Sequence, residues 1–259
     1  MFLKKTKYII RKILVKFFPV KFWKMLASSQ NEESEYLIKI CEEIDSNKSF
    51  VEFGFHPYEF NSVSLAKKNY KGLLLDGSKK NCDLANFIFA KLDLNTKAYF
   101  HWISINTLMP IEDFVSGLNG NLGVLNIDID GNDYWILKEL LNKISPEIIC
   151  VEYNASFGLR NISTPYKIDF NRHAEHKSGW YHSASILGFY NLMSHSYCLV
   201  KNIAGLNLIF VRKDKMTHNL TSLKPENAYA ECVLRNQMSK TVAHEQFDTI
   251  KHLDFVQLD

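Results

Sequence analysis

Glycine and proline are scarce in this 259-residue chain, at 11 and 6, which excludes a collagenous or linker-dominated low-complexity protein. The five cysteines (Cys41, Cys82, Cys150, Cys198, Cys232) are odd in number and widely spaced, with no CxxC pair. They read as reduced thiols of a cytosolic protein, not as a disulfide framework or a structural zinc site. No uninterrupted apolar run approaches the ~20 residues that a membrane-spanning helix needs. Acid is missing from residues 1–31, which carry eight Lys/Arg; the rest of the chain holds 23 bases against 28 acids, a net of −5 beneath the overall +3. A mildly acidic body with a basic head argues against a whole-domain nucleic-acid binder. What is present, 46% hydrophobic and 23% charged residues, is enough to bury a large core without staples. The expected organisation is a basic amphipathic segment over 1–31, one main domain over 32–215 and a helical extension over 216–259.

In the head, Ile9, Ile10, Ile13, Leu14, Phe17 and Phe18 recur at roughly helical spacing among eight basic residues, and Pro19 ends or kinks that helix. The segment lacks the compact apolar core and small-residue cleavage site of a signal peptide. Two readings stand. One is a helix packed on the domain with its lysines in solvent. The other is peripheral membrane contact through residues 1–26, drawn to anionic lipid at the inner membrane face.

Beyond a helical stretch at 33–46, short apolar runs alternate with amphipathic segments. Strands are expected at 49–54, 72–76, 97–102, 123–129 and 147–153, about 20–25 residues apart. Continuous apolar runs mark strands buried on both faces of a parallel sheet. The runs at 196–201 and 206–212, joined by NIAG, read as a hairpin. The predicted fold is α/β: a mostly parallel, Rossmann-like seven-stranded sheet ending in an antiparallel hairpin, with helices on both faces. The Gly/Pro-poor segment 225–259 reads as helical and either caps the domain or pairs two subunits as a homodimer.

Ligands of an open α/β sheet sit beyond the carboxyl ends of its strands, and here those ends are polar. The first gives Glu52, Gly54, Phe55, His56 and Asn61; the second Asp76, Gly77 and Ser78; the fourth Asp128, Asp130, Asn132 and Asp133; the fifth Glu152 and Asn154. EFGFHPYEF lacks the later glycines of GxGxxG, so a pyrophosphate cradle is disfavoured. Asp76, ending the next strand, suits two ribose hydroxyls. Together these favour S-adenosylmethionine over NAD. Asp128, Asp130, Glu152 and Asn154 offer hard oxygen ligands from adjacent strand ends, which suit Mg²⁺ or Mn²⁺. The competing reading makes Asp128, Asp130 and Asp133 caps of the following helix. His173, His176 and His182 lie in the long polar stretch FNRHAEHKSGWYHSAS, where His182 is the candidate base. Arg160, Tyr166 and Arg172 are candidates for holding a phosphate if the acceptor is nucleotide-linked.

Three blocks, VEFGFHPYEFNSVSL with KGLLLDGSKKN, LNIDIDGNDYWIL, and PEIICVEYNASFG, together with GWYHSASILGFYNLM, resemble FkbM-type class I methyltransferases over about residues 49–212. Ser183 stands where that group carries glycine. The resemblance implies S-adenosylmethionine bound around Glu52, Gly54, Phe55, Asn61, Asp76, Gly77 and Ser78, with Asn106 near the adenine. It also implies O-methylation of a small-molecule acceptor, a sugar or nucleotide-linked sugar of bacterial surface polysaccharide. The carboxylate rim is similar to the magnesium site of catechol-type O-methyltransferases. Metal ligands would then be Asp128, Asp130, Glu152 and Asn154, with Asp130 and His182 as catalytic residues. The alternatives are an NAD-dependent oxidoreductase and a catalytically silent scaffold of a membrane glycan complex.

Overall fold

A computed structural model describes residues 20–259; the apolar-basic helix expected before Pro19 lies outside the described residues. The chain first forms helices α1 (Trp23–Leu26) and α2 (Glu33–Glu43). Alternation follows: β1 (Ser49–Phe53), α3 (Val63–Lys67), β2 (Lys71–Asp76), α4 (Lys79–Lys91), β3 (Thr96–Phe100), α5 (Met109–Ser116), β4 (Val124–Ile127), α6 (Asp133–Leu141) and β5 (Ile148–Glu152). The chain continues through β6 (Ile162–Ser163), the one-turn helix α7 (Arg172–Glu175), α8 (Ile186–Met193), β7 (Tyr197–Ile203) and β8 (Asn207–Arg212). Three short helices, α9 (Pro225–Ala228), α10 (Val233–Ser239) and α11 (Ala243–Ile250), precede β9 (Val256–Gln257).

Seven strands form one sheet in the order β3-β2-β1-β4-β5-β8-β7. The first five are parallel, and β8 runs antiparallel between β5 and β7. This is the predicted layout. The apolar runs predict it because every residue of β1, β4 and β5 is buried. Val51, Phe53, Leu125, Ile127, Ile149 and Val151 pack on one face with α5, α6 and α8. Phe50, Leu74, Val124, Ile148 and Cys150 pack on the other with α2, α3 and α4. The β7–β8 hairpin turns on Ala204 and Gly205, both at positive φ (55° and 70°), as a two-residue I′ turn requires. All five cysteines are free thiols, and no helix among the described residues is long and apolar enough to cross a membrane.

Two boundaries differ from expectation. Residues 20–31 are packed into the main domain: Trp23 is fully buried and donates from Nε1 to Pro57 O at 2.7 Å. The indole also packs on Phe60 and Phe89. The C-terminal segment is helical only to Ile250, after which β9 pairs with β6 and Ile250 joins Phe157, Ile162 and Tyr181 in a small satellite core.

Successive side chains of a strand point to opposite faces, so Glu52, Asn126 and Cys150, paired across β1, β4 and β5, project to the same side. Two residues farther on, Asp128 and Glu152 emerge side by side at the carboxyl edge. The strand order reverses between β1 and β4, and that switch point is where a crevice opens.

Candidate active site at the strand ends

The loop after β1 is held by two carboxylates. Glu52, fully buried, accepts from the Asn61 and Ser62 amides, each at 2.7 Å; burial pushes its carboxyl up to about 7 against those bonds. Asp76 accepts from Phe55 N at 3.1 Å and Ser78 N at 2.6 Å and stays half-buried, with lone pairs left over. Gly54 lies at φ +72°, and a Cβ there would sit 1.8 Å from Asp128 O. The glycine is therefore demanded by the β4 backbone as well as by any ligand.

Three clefts meet along this edge. One, about 220 Å³, runs past Gly54, Asp76 and Gly77 to His101, Trp102 and Ile103, and is walled by Ile168 and Phe170. A second, about 260 Å³, lies over Glu52, Phe55, His56, Asn61 and Gln30. The third and largest, about 590 Å³, reaches from Glu152 to Arg172, His173, Trp180 and Arg235. Asp128 and Asp130 line all three, so the clefts form one groove with the acids at its centre.

Asp128, Asp130 and Glu152 each bring a carboxylate oxygen within 4.8 Å of the others. Burial, reinforced by the Glu152 and Asp130 charges, raises Asp128 well above the usual carboxylate range. Burial likewise raises Glu152 to about 8. Arg172 offsets part of this charge through an ion pair to Asp130. Glu152 Oε2 is buried without a hydrogen-bond partner among the described residues, a state that costs about 1–3 kcal/mol unless something is bound there. An all-oxygen donor set of three converging carboxylates fits a hard divalent cation.

The other expected residues are placed as follows. Asn154 is held by its neighbours. Its Nδ2 donates to Trp180 O (2.6 Å) and His182 O (2.9 Å), and its Oδ1 accepts from Ser156 N and Arg235 Nη1. With its donor and acceptor atoms engaged, it braces the loop after β5. His182 is fully buried and lines none of the three clefts; burial and the Arg172 and Arg235 charges drive its pKa well below the ordinary value, so it is neutral and cannot meet an acceptor hydroxyl directly. Asn106 is exposed and lines none of the clefts either; the neighbouring His101, Trp102 and Ile103 do. The Ser78 hydroxyl caps α4, accepting from Asn81 N, and keeps its O–H to donate. Asp133, the first residue of α6, accepts from Ile129 N and Gly131 N, each at 2.9 Å, which folds the DIDG loop back; no side chain caps that helix.

Arg172 also donates from Nε to Gly179 O, which together with its Asp130 ion pair fixes the guanidinium at the wall of the largest cleft. Arg160 lies over the Phe247 ring, 3.8 Å from its centroid, away from the groove; Tyr166 OH receives Ile105 N at 3.4 Å. Ser183 adopts φ +55°, a left-handed conformation that glycine takes without strain. The residue that sequence reasoning missed is Arg235. It enters from α10 and donates to Asn154 Oδ1, Ser156 Oγ and His182 Nε2. Its only sequence signal is a lone base among Val233, Leu234 and Met238.

No family model matches the chain, and no curated protein matches it. Among solved structures, it is similar to the N-terminal domain of EvdMO1, determined in the presence of SAH and D-fucose, at 12% identity and TM-score 0.44 over 70% of this chain and 82% of that one. It is similar to an O-methyltransferase from Bacillus cereus in complex with SAH, at 12% identity and TM-score 0.45 over 79% of this chain and 97% of that one. It is also similar to the bifunctional kinase-methyltransferase WbdD, at 13% identity and TM-score 0.46, over 78% of this chain and 46% of that one.

Proposed function

We propose that the chain is an S-adenosylmethionine-dependent O-methyltransferase acting on a hydroxyl of a sugar or nucleotide-linked sugar, with Mg²⁺ or Mn²⁺ at the acidic centre. The observation that carries this reading is the single groove joining Asp76, the ribose-binding candidate, to Asp128, Asp130 and Glu152. Asp76 accepts from the ribose hydroxyls with the lone pairs its two amide bonds leave free. Trp102, Ile103 and Phe170 receive the adenine, and the cleft over Asn61 and Gln30 takes the amino-acid tail. The acceptor lies in the larger cleft, against Trp180 and Arg172.

Asp128 and Glu152, with Asp130 beside them, would hold the cation, whose chemistry is to lower the acceptor hydroxyl's pKa. In the displacement, the acceptor oxygen forms a bond to the methyl carbon as the carbon–sulfur bond breaks, and the hydroxyl proton passes to the Asp128 carboxylate. The setting we propose is surface-glycan synthesis in the cytoplasm, at the inner membrane face if basic residues 1–26 engage anionic lipid.

Calorimetry with S-adenosylhomocysteine and with NAD tests the cofactor. Binding of the first and not the second supports the reading; binding of NAD alone removes it. Methyl transfer from labelled S-adenosylmethionine to candidate nucleotide sugars, before and after EDTA, tests the rest. Cofactor binding with no turnover across those acceptors favours the scaffold alternative.

A further inference from the structure

His182 pairs with Glu152, and the reaction above gives this histidine no part. The imidazole Nε2 lies 3.1 Å from Arg235 Nη2. A guanidinium has donors and no acceptor, so Nε2 accepts and the ring proton of the neutral imidazole resides on Nδ1. Nδ1 is buried with no hydrogen-bond partner among the described residues, and so is Glu152 Oε2; the two atoms face each other at 3.8 Å. A shift of about 1 Å brings them into hydrogen-bond range. Arg235 is itself fixed, at 2.9 Å from Asn154 Oδ1 and 3.1 Å from Ser156 Oγ, while Asn154 grips the His182 carbonyl. Donor direction is thus set along the whole path from α10 to the cleft-lining carboxylate.

We infer that His182 is a positioning residue for Glu152: held by Arg235 in the Nδ1–H tautomer, it donates to Oε2 and leaves Oε1 to work at the cleft. This deepens the proposed reaction and rests on it only in taking Glu152 to act there. It also makes α10 part of the site. A plainer role for His182, merely accepting from a buried Arg235, would call for the same histidine, and the two isosteric amides separate the cases. Asparagine places an N–H near the Nδ1 position and loses the acceptor for Arg235. Glutamine places an amide near the Nε2 position and loses the donor to Glu152.

The experiment has two arms on the full chain. Long-range ¹H–¹⁵N NMR of the histidine rings reads the tautomer, and Nδ1–H is expected at His182; an Nε2–H tautomer overturns the inference. In the second arm, His182→Gln is expected to weaken Mn²⁺ binding, followed by EPR, about 10–100-fold. It should lower kcat by a similar factor with acceptor KM and S-adenosylhomocysteine affinity unchanged. His182→Asn should stay within about threefold of the parent on each measure. The reverse ranking, Asn damaged and Gln intact, overturns it. If the parent protein neither binds S-adenosylhomocysteine nor turns over, the methyltransferase reading falls, while the tautomer and the Mn²⁺ comparison still decide the role of His182. Should either variant fail to fold, the Nδ1 proton of the parent decides: a downfield resonance that marks a hydrogen bond supports the inference, and one at the position of an unbonded ring N–H overturns it.

Discussion

Replacing Glu52 by glutamine should change how stability depends on pH in a definite direction. The Glu52 carboxyl is pushed from 4.5 to about 7 by burial, which outweighs the two backbone amides that favour its charged form. A folded-state pKa above the unfolded value means that the native protein binds the proton more tightly. The associated stability is fully present below pH 4.5 and lost as pH rises through 7. The gap between the two values corresponds to about 3 kcal/mol. In Glu52→Gln the titration disappears, and one of the two amide bonds loses its acceptor, costing about 1–3 kcal/mol. The variant should therefore be less stable than the parent near pH 4.5, and the difference should move about 3 kcal/mol in its favour by pH 8. Urea denaturation of both proteins across that range, in chelator, measures it. Asp133 and Glu152 are also raised, but they titrate in both proteins and cancel in the difference to the extent that they are independent of Glu52. A gap that stays constant with pH, or widens as pH rises, refutes the reasoning.

Three further outcomes follow from the same edge of the sheet. Gly54→Ala drives a Cβ to 1.8 Å from Asp128 O at φ +72° and should cost at least about 3 kcal/mol; an unchanged melting temperature would contradict the close approach. Asp76→Ala removes the acceptor for Phe55 N and Ser78 N as well as for ribose. Calorimetry should show S-adenosylhomocysteine affinity at least about tenfold weaker, and parental affinity would place the nucleoside elsewhere. Asp128→Asn should lower methyl transfer by about 10²–10⁴-fold and abolish its response to EDTA and added Mn²⁺; retained turnover would remove Asp128 from the chemistry.

Much of this edge is legible in the sequence because its determinants are local. A strand buried on both faces writes a continuous apolar run, and a polar residue ending such a run stands at the carboxyl rim, which places Asp76, Asp128 and Glu152. Register does the rest, since strands paired at Asn126 and Cys150 bring the acids two residues later into one cluster. What the sequence hides is whatever depends on distant chain. Asn154 has the residue type of a ligand, yet Trp180, His182 and Arg235, 26 or more residues away, engage its amide. His182 looks like a loop base until the packing of α10 encloses it. Trp23, in a segment that reads as a separate basic head, is fixed by a carbonyl 34 residues on.

The distribution of backbone amides explains why so many acids coexist at one rim. Glu52, Asp76 and Asp133 each receive two amide N–H groups, from Asn61 and Ser62, Phe55 and Ser78, and Ile129 and Gly131. These bonds offset part of the desolvation of a carboxylate, and they make the three residues braces of the loops after β1, β2 and β4. Asp128 and Glu152 lie between those braces, and no described amide donates to either side chain. Burial raises both their pKa values, so the fold carries them at a cost that packing alone does not offset. Stability by itself would favour an amide or an apolar residue at either position. A groove that braces three carboxylates and leaves two bare, adjacent and open to a cavity of about 590 Å³ holds those two in reserve for what binds there. Accordingly, the charge balance of the site should close when a cation or an acceptor proton arrives.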